Sequence, residues 1–229
     1  MVKGLDTFRR YFADYEEQYV LIGGAACDIV FESNEAIFRA TRDLDMVLIV
    51  EALTPEFGER FWNFIIAGKY RNKATNGGKP KFYRFDKPED DSFPKMIELF
   101  CRSNFELKNV EGITPIHIDD EISSLSAILL DDDYYKVLLD GKVVKNGLSI
   151  LRPEYIILFK AKAYLDLNSK KESGGIIDSN DIRKHKKDIL RITAELMLEK
   201  VSDMPASVNN DIHSFIDSLE QEPFDQNLL

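Results

Sequence analysis

The sequence predicts a mixed α/β (α+β) domain with a mixed sheet over residues 1–150, followed by a helical domain over 151–229. Three observations predict it. Short β-rich runs alternate with helical stretches through the first part of the chain. After about residue 150 only helical patterns remain. The composition, 44% hydrophobic and 31% charged over 229 residues, is that of a globular protein able to bury a substantial core.

The elements follow in order. Residues 5–17 place Leu5, Phe8, Phe12 and Tyr15 at helical spacing. YVLIGG (19–24) is a short strand closed by two glycines, and 25–33 has helix-like composition. RATRD (39–43) leads into DMVLIV (45–50), a nearly continuous apolar run of buried-strand length. Residues 55–69 form the next helix, with Pro55 in its first turn and Phe57, Phe61, Phe64 and Ile65 as its apolar stripe. A turn signal precedes strand material at 81–85, 87–94 is a polar loop, and KMIELFC (95–101) is a buried strand. Short strands and a helix are expected between 116 and 151, and 142–151 reads as a hairpin turning at Asn146-Gly147.

In the second half, 153–167 is a helix opened by Pro153, and 169–178 is a polar loop. Residues 179–200 form a long helix capped by Ser179 or Asn180. Residues 207–221 form a last helix, and the tail beyond it is expected to be loose.

Composition also excludes functions. The net charge of −10 argues against a general nucleic-acid coat protein, whose affinity comes from neutralising phosphates. No apolar stretch is long enough for a membrane span, and the first residues lack the apolar core of a secretion signal. Cytoplasmic residence is expected, with Cys27 and Cys101 as buried free thiols. No Cys/His spacing suggests zinc, and no serine or cysteine nucleophile motif is present.

The chemistry concentrates at Asp43-Leu44-Asp45. Side chains two apart on a strand share a face, so the two carboxylates point the same way while Leu44 enters the core. At ~5 Å and an effective dielectric near 20 they repel by roughly 3 kcal/mol. A proton, a basic side chain or a cation relieves that repulsion. Mg²⁺ (or Mn²⁺) held by one or two carboxylates and substrate phosphate fits the pattern. Taken alone, the pair reads rather as structural, with Asp43 capping or ending a turn and Asp45 in a salt bridge to Arg39 or Arg42; its place at the entry to a buried strand, with a glycine turn upstream, favours the site. Gly23 and Gly24 follow a strand and open a helix, where backbone can approach a ligand and N–H groups favour an anion such as a triphosphate. Such a pair also serves as a simple tight turn, and no P-loop lysine follows it. Glu98 sits between apolar Ile97 and Leu99, where a charge is costly unless paired or metal-bound. As a third acid facing the aspartates it would complete a two-metal site.

LIGG (21–24), RATRDLDMVLI (39–49) and MIELF (96–100) together resemble the nucleotidyltransferase superfamily of polymerase-β-like fold. The spacing from Gly24 to Asp43, and Arg39, Thr41, Asp43, Leu44 and Asp45 in one motif, resemble its AbiEii/AbiGii toxin-like branch. Lys160-Ala161-Lys162-Ala163 and Lys187-Asp188 match that branch's downstream lysine and acidic motifs. The resemblance implies transfer of a nucleoside monophosphate from an NTP to an acceptor hydroxyl, with release of pyrophosphate. It implies metal ligation by Asp43, Asp45 and Glu98. Nucleotide contacts would come from Gly23, Gly24, Arg39, Thr41, Lys160 and Lys187, with Asp188 nearby and Lys162 an alternative to Lys160. The helical domain would contribute to the nucleotide site. An RNA or tRNA end is the implied acceptor and a cognate antitoxin an implied partner. Rival readings are a small-molecule nucleotidyltransferase and an inactive nucleotide-binding or partner-binding module. Ala25 stands where a hydroxyl residue is common.

Other features are read as structural. Arg183, Lys187 and Arg191 share a helix face, as a phosphate groove or a solvated face paired with Asp181 and Asp188. Aromatics near the basic groups at 69–73 and 79–84 are candidates for base stacking or core packing. His117 and His213 are expected to be structural, His185 a surface residue, and Asp131–Asp133 a loop or helix cap.

Overall fold

A computed structural model describes residues 2–39, 41–74, 80–101, 128–129 and 131–220. The chain divides into two compact units, Met1–Ile122 with Lys142–Leu151, and Ser123–Gly141 with Arg152–Leu229. The division is therefore not a single cut near residue 150. The 142–151 hairpin belongs to the first unit, and the helix just before it to the second.

The first unit holds a seven-stranded mixed sheet in the order β3-β4-β5-β2-β1-β7-β6. Its strands are β1 (Tyr19–Ile22), β2 (Asp43–Leu48), β3 (Arg71–Ala74), β4 (Pro80–Asp86), β5 (Met96–Phe100), β6 (Lys142–Lys145) and β7 (Leu148–Leu151). β2 runs antiparallel to β1 and parallel to β5. Tyr19–Ile22 is buried at every position, as a central strand covered on both faces requires. Strand β3 lies in a stretch whose sequence signals only a turn. The hairpin forms where expected, with Asn146 and Gly147 both at positive φ (52° and 70°) and β6 paired to β7.

Among the described residues three helices accompany the sheet: α1 (Leu5–Tyr11), α2 (Gly23–Ser33) and α3 (Pro55–Gly68). Helix α1 stops short of the expected 17, its C-cap at Phe12. Helix α3 starts at Pro55, and the Thr54 hydroxyl accepts a hydrogen bond from the Phe57 N–H at 3.3 Å. Its stripe Phe57, Phe61, Phe64 and Ile65 is buried. There the rings of Phe8, Phe12, Tyr19, Phe57, Phe61 and Phe64 form a continuous aromatic core. Phe8 and Phe12 are stacked at 4.4 Å, and Phe8 meets Phe64 edge-on at 5.8 Å. Each such pair adds about 0.5–1.5 kcal/mol beyond its buried area.

The second unit, among the described residues, is helical: α4 (Asp132–Gly141), α5 (Pro153–Glu172), α6 (Ser179–Glu195) and α7 (Ala206–Glu220). Helix α5 packs against α4, α6 and α7. Its buried residues (Tyr155, Ile156, Leu158, Phe159, Ala161, Ala163 and Tyr164 among them) follow no single stripe, as expected of a helix with neighbours on several sides. Ala161, Tyr164, Ile182, Ile189 and Phe215 make the core. Three boundaries differ from expectation. Helix α5 continues through Glu172. Helix α6 ends at Glu195, and its cap is Asp178, whose carboxylate accepts from the Asn180 N–H. The caps assigned to Ser179 and Asn180 fail because Asp178 reaches that amide first. Asp131 caps the start of α4 through the Asp133 and Tyr134 N–H groups, and the loose tail and His117 lie outside the described residues.

Candidate active site

The site is built at the junction of β1, α2 and β2. Strand β1 ends at Ile22, and Gly23 opens α2 with φ +62°, a backbone region that a side chain disfavours by roughly 1–2 kcal/mol. Packing adds a second demand. A Cβ on Gly23 would lie 2.3 Å from Asp45 Oδ2, and one on Gly24 would lie 2.6 Å from Thr41 Oγ1. The two glycines thus seat the Asp45 carboxylate and the Thr41 hydroxyl directly against the first turn of α2. Ile22, the N-cap, has no side-chain acceptor, and the first turn carries no acid of its own. The chain between α2 and β2 is held by Phe38, whose ring packs on Phe31 at 4.9 Å. Arg39 lies over the Phe38 ring at 5.4 Å.

The three acids share a face of the sheet. Along β2, Leu44 and Met46 are buried while Asp43 and Asp45 are half-buried. Along β5, Ile97 and Leu99 are buried and Glu98 half-buried. Asp45 is the cross-strand partner of Glu98, and Asp43 that of Met96. Directly opposed residues on neighbouring strands are about 5 Å apart and point the same way.

On the far side of Glu98 the register places Arg84 of β4. Arg84 donates to Glu98 Oε1 through both Nε and a terminal amine, with Arg84 side-chain exposure 46% and Glu98 exposure 19%. One register row therefore reads Arg84, Glu98, Asp45, Ile22 across four strands. Arg84 is absent from the sequence-derived site. Arg84 is exposed beside buried Phe85, but only strand pairing puts it beside Glu98.

Carboxylate oxygens are the donors that Mg²⁺ takes, and two of them plus substrate phosphate are a common set. Asp43 and Asp45, on the face where Gly23 leaves room for a carboxylate, fit one such cation. The three-acid arrangement is different. Among the described residues no group of three His, Cys, Asp or Glu side chains is placed to hold a metal ion, and Glu98 is turned to Arg84.

In the helical unit Lys160 and Asp188 meet in a buried ion pair, Nζ to Oδ2 at 2.7 Å, with side-chain exposures of 8% and 3%. Lys162 contacts Asp166 at 3.4 Å and Asp211 at 3.3 Å. Burial works against its charge, but the two carboxylates outweigh that and raise its pKa. Asp211 also accepts from the Tyr134 hydroxyl at 2.9 Å. Lys187 is exposed, while its neighbour Lys186 is buried. Arg191 pairs with Glu195 at 2.8 Å.

The chain matches no known family model and no curated protein. It is similar to the solved structure of an antigenic nucleotidyltransferase-like protein from Paracoccidioides brasiliensis. The two share 14% identity and a TM-score of 0.44, over 93% of this chain and 88% of that one. A likeness at that level assigns neither a family nor a function. No described helix is long and apolar enough to cross a membrane.

Proposed function

We propose that the chain is a nucleotidyltransferase that moves a nucleoside monophosphate from an NTP to an acceptor hydroxyl. The observation that carries this reading is the seating of Asp45 against Gly23, on the same strand face as Asp43. That arrangement sets a carboxylate pair beside the N-terminus of an 11-residue helix. The helix start suits phosphate oxygens, and the carboxylates suit the cation that accompanies them. Asp43 and Asp45 would hold Mg²⁺, which when bound neutralises charge on the triphosphate. Backbone N–H groups of Gly23 and Gly24 would orient the phosphates, with the Thr41 hydroxyl beside them. The acceptor oxygen attacks the α-phosphorus, the bond to the bridging α–β oxygen breaks, and pyrophosphate leaves with that electron pair. Glu98 is the proposed recipient of the acceptor's proton once it exchanges its bond to Arg84. Of the helical unit's residues, Lys160, Lys162 and Lys187 are the proposed phosphate contacts, Lys160 by exchanging its bond to Asp188 and Lys162 its bonds to Asp166 and Asp211. An RNA end, tRNA included, is the proposed acceptor, and a cognate antitoxin the proposed partner.

A small-molecule acceptor is the second reading, favoured by the net charge of −10, which repels a polyanion. One assay separates the two. Wild-type protein is incubated with each α-labelled NTP, Mg²⁺, and either total tRNA or a panel of hydroxylated small molecules. Label on RNA supports the first reading and label on a small product the second. The Asp45→Ala variant should lose transfer in both cases. Pyrophosphate release by Asp45→Ala at the wild-type rate would refute the assignment.

A further inference from the structure

The register row through the site has a direction. It begins at Ile22, where the first turn of α2 is the proposed seat of the triphosphate, and passes Asp45 and Glu98 to reach Arg84. In-line phosphoryl transfer sets the attacking oxygen opposite the leaving pyrophosphate. With the pyrophosphate toward α2, the acceptor enters from the other end, over β5 and β4. That end carries positive charge. Arg84 is almost half exposed. Arg71, one row further on and opposite Asp86, is exposed and lies on the same strand face. Helix α3 packs on the opposite face, where Phe85 meets Phe61 and Trp62 at 5.6 and 5.9 Å.

We infer that Arg84 anchors the acceptor: its guanidinium leaves Glu98 for a phosphate next to the acceptor's hydroxyl, so that the site selects acceptors carrying one. The inference rests on the nucleotidyltransferase reading, whose acceptor class it narrows. A phosphate offers a guanidinium the same two-pronged, charge-assisted contact that a carboxylate does. The exchange costs little, because the Arg84–Glu98 pair is partly open to water. It leaves Glu98 beside the hydroxyl only when an acceptor is in place. A neutral acceptor has nothing to draw Arg84 away. Arg71 gives a second phosphate, present in a nucleic-acid end, a further cation to follow.

The test compares acceptors that differ in that one charge. With each NTP and Mg²⁺, the full chain is given a short RNA with a free 3′ hydroxyl, or the same RNA with its last phosphodiester replaced by an uncharged methylphosphonate. A nucleoside 5′-monophosphate and its nucleoside form a second pair. Wild type should use the charged member of at least one pair about tenfold better or more, mainly through KM. A preference within the RNA pair assigns a chain end, and one confined to the nucleotide pair assigns a small phosphate ester. Arg84→Gln should bring that ratio close to one, and Arg84→Lys, which keeps the charge, should retain part of it. A calorimetric titration of the favoured pair reads the same preference in binding, without turnover, and circular dichroism checks that each variant is folded. Equal or better use of the neutral acceptors by wild type, or a preference that survives in Arg84→Gln, would overturn the role of Arg84 while leaving the transferase reading standing. Transfer by wild type to none of these acceptors, from any NTP, would overturn both.

Discussion

Each unit of the molecule sets a carboxylate against a basic side chain, and the two pairs are built for opposite purposes. Lys160–Asp188 lies on two packed helices with both side chains nearly sealed from water. Arg84–Glu98 lies on adjacent strands with the arginine almost half exposed. Taking two charges out of water carries a desolvation cost of several kcal/mol per ion, which the close contact of the two charges at 2.7 Å offsets. A half-exposed pair has water as an alternative, so its members can change partners at little cost. The helical unit therefore uses its pair as a fixture, and the sheet unit uses its pair as an exchangeable contact next to the candidate site.

The largest expected effect breaks the fixture. Asp188→Ala strands a buried ammonium and should cost about 3–5 kcal/mol, read as a lowered midpoint in urea. The double change Lys160→Met with Asp188→Leu should recover most of that loss, since apolar replacement of a whole buried pair is commonly neutral or better. Next comes the glycine at the head of α2. Gly23→Ala should cost about 1–2 kcal/mol for its left-handed backbone and push the Asp45 carboxylate from its seat. Nucleotide binding should then fall more than stability does, which calorimetry beside a denaturation curve would reveal. Arg84→Ala sharpens the comparison from the other side. Its stability should change by less than about 1 kcal/mol, and a loss as large as that of Asp188→Ala would erase the distinction between the two pairs.

The smallest effect concerns alkaline pH. Burial raises the pKa of Tyr19, Tyr70 and Tyr134 well above the ordinary tyrosine range. Their folded-state values exceed the unfolded value of about 10. The stability they contribute is thus fully present below pH 10 and declines as pH rises above it. An ultraviolet titration of the folded protein should show a subset of tyrosines that resist ionisation until it unfolds.

Much of the architecture was legible because its signals are local. Pro55 and the phenylalanine stripe mark α3, Asn146-Gly147 marks the hairpin, and the alternation around Asp43 and Glu98 marks which side chains leave the core. What stayed hidden depends on pairing between distant segments. Strand β3 carries polar residues and looked like part of a turn until β4 paired with it. Arg84 belonged to the short basic group at 79–84, but its place beside Glu98 follows from the register of β4 on β5, which loop 87–95 does not encode. Helix α5 hid its central position because helices on several sides erase the one-sided pattern by which a surface helix is recognised. For the same reason Lys160 read as open to a phosphate or to solvent, whereas it is buried against Asp188.

The most direct test of the account is a calorimetric titration of a Mn²⁺ complex of a non-hydrolysable NTP analogue into wild type and Asp45→Asn. The near-isosteric amide keeps the packing on Gly23 while removing the charge. The account predicts saturable binding to wild type and a loss of roughly two orders of magnitude in Asp45→Asn. Equal affinity in the two proteins would contradict it.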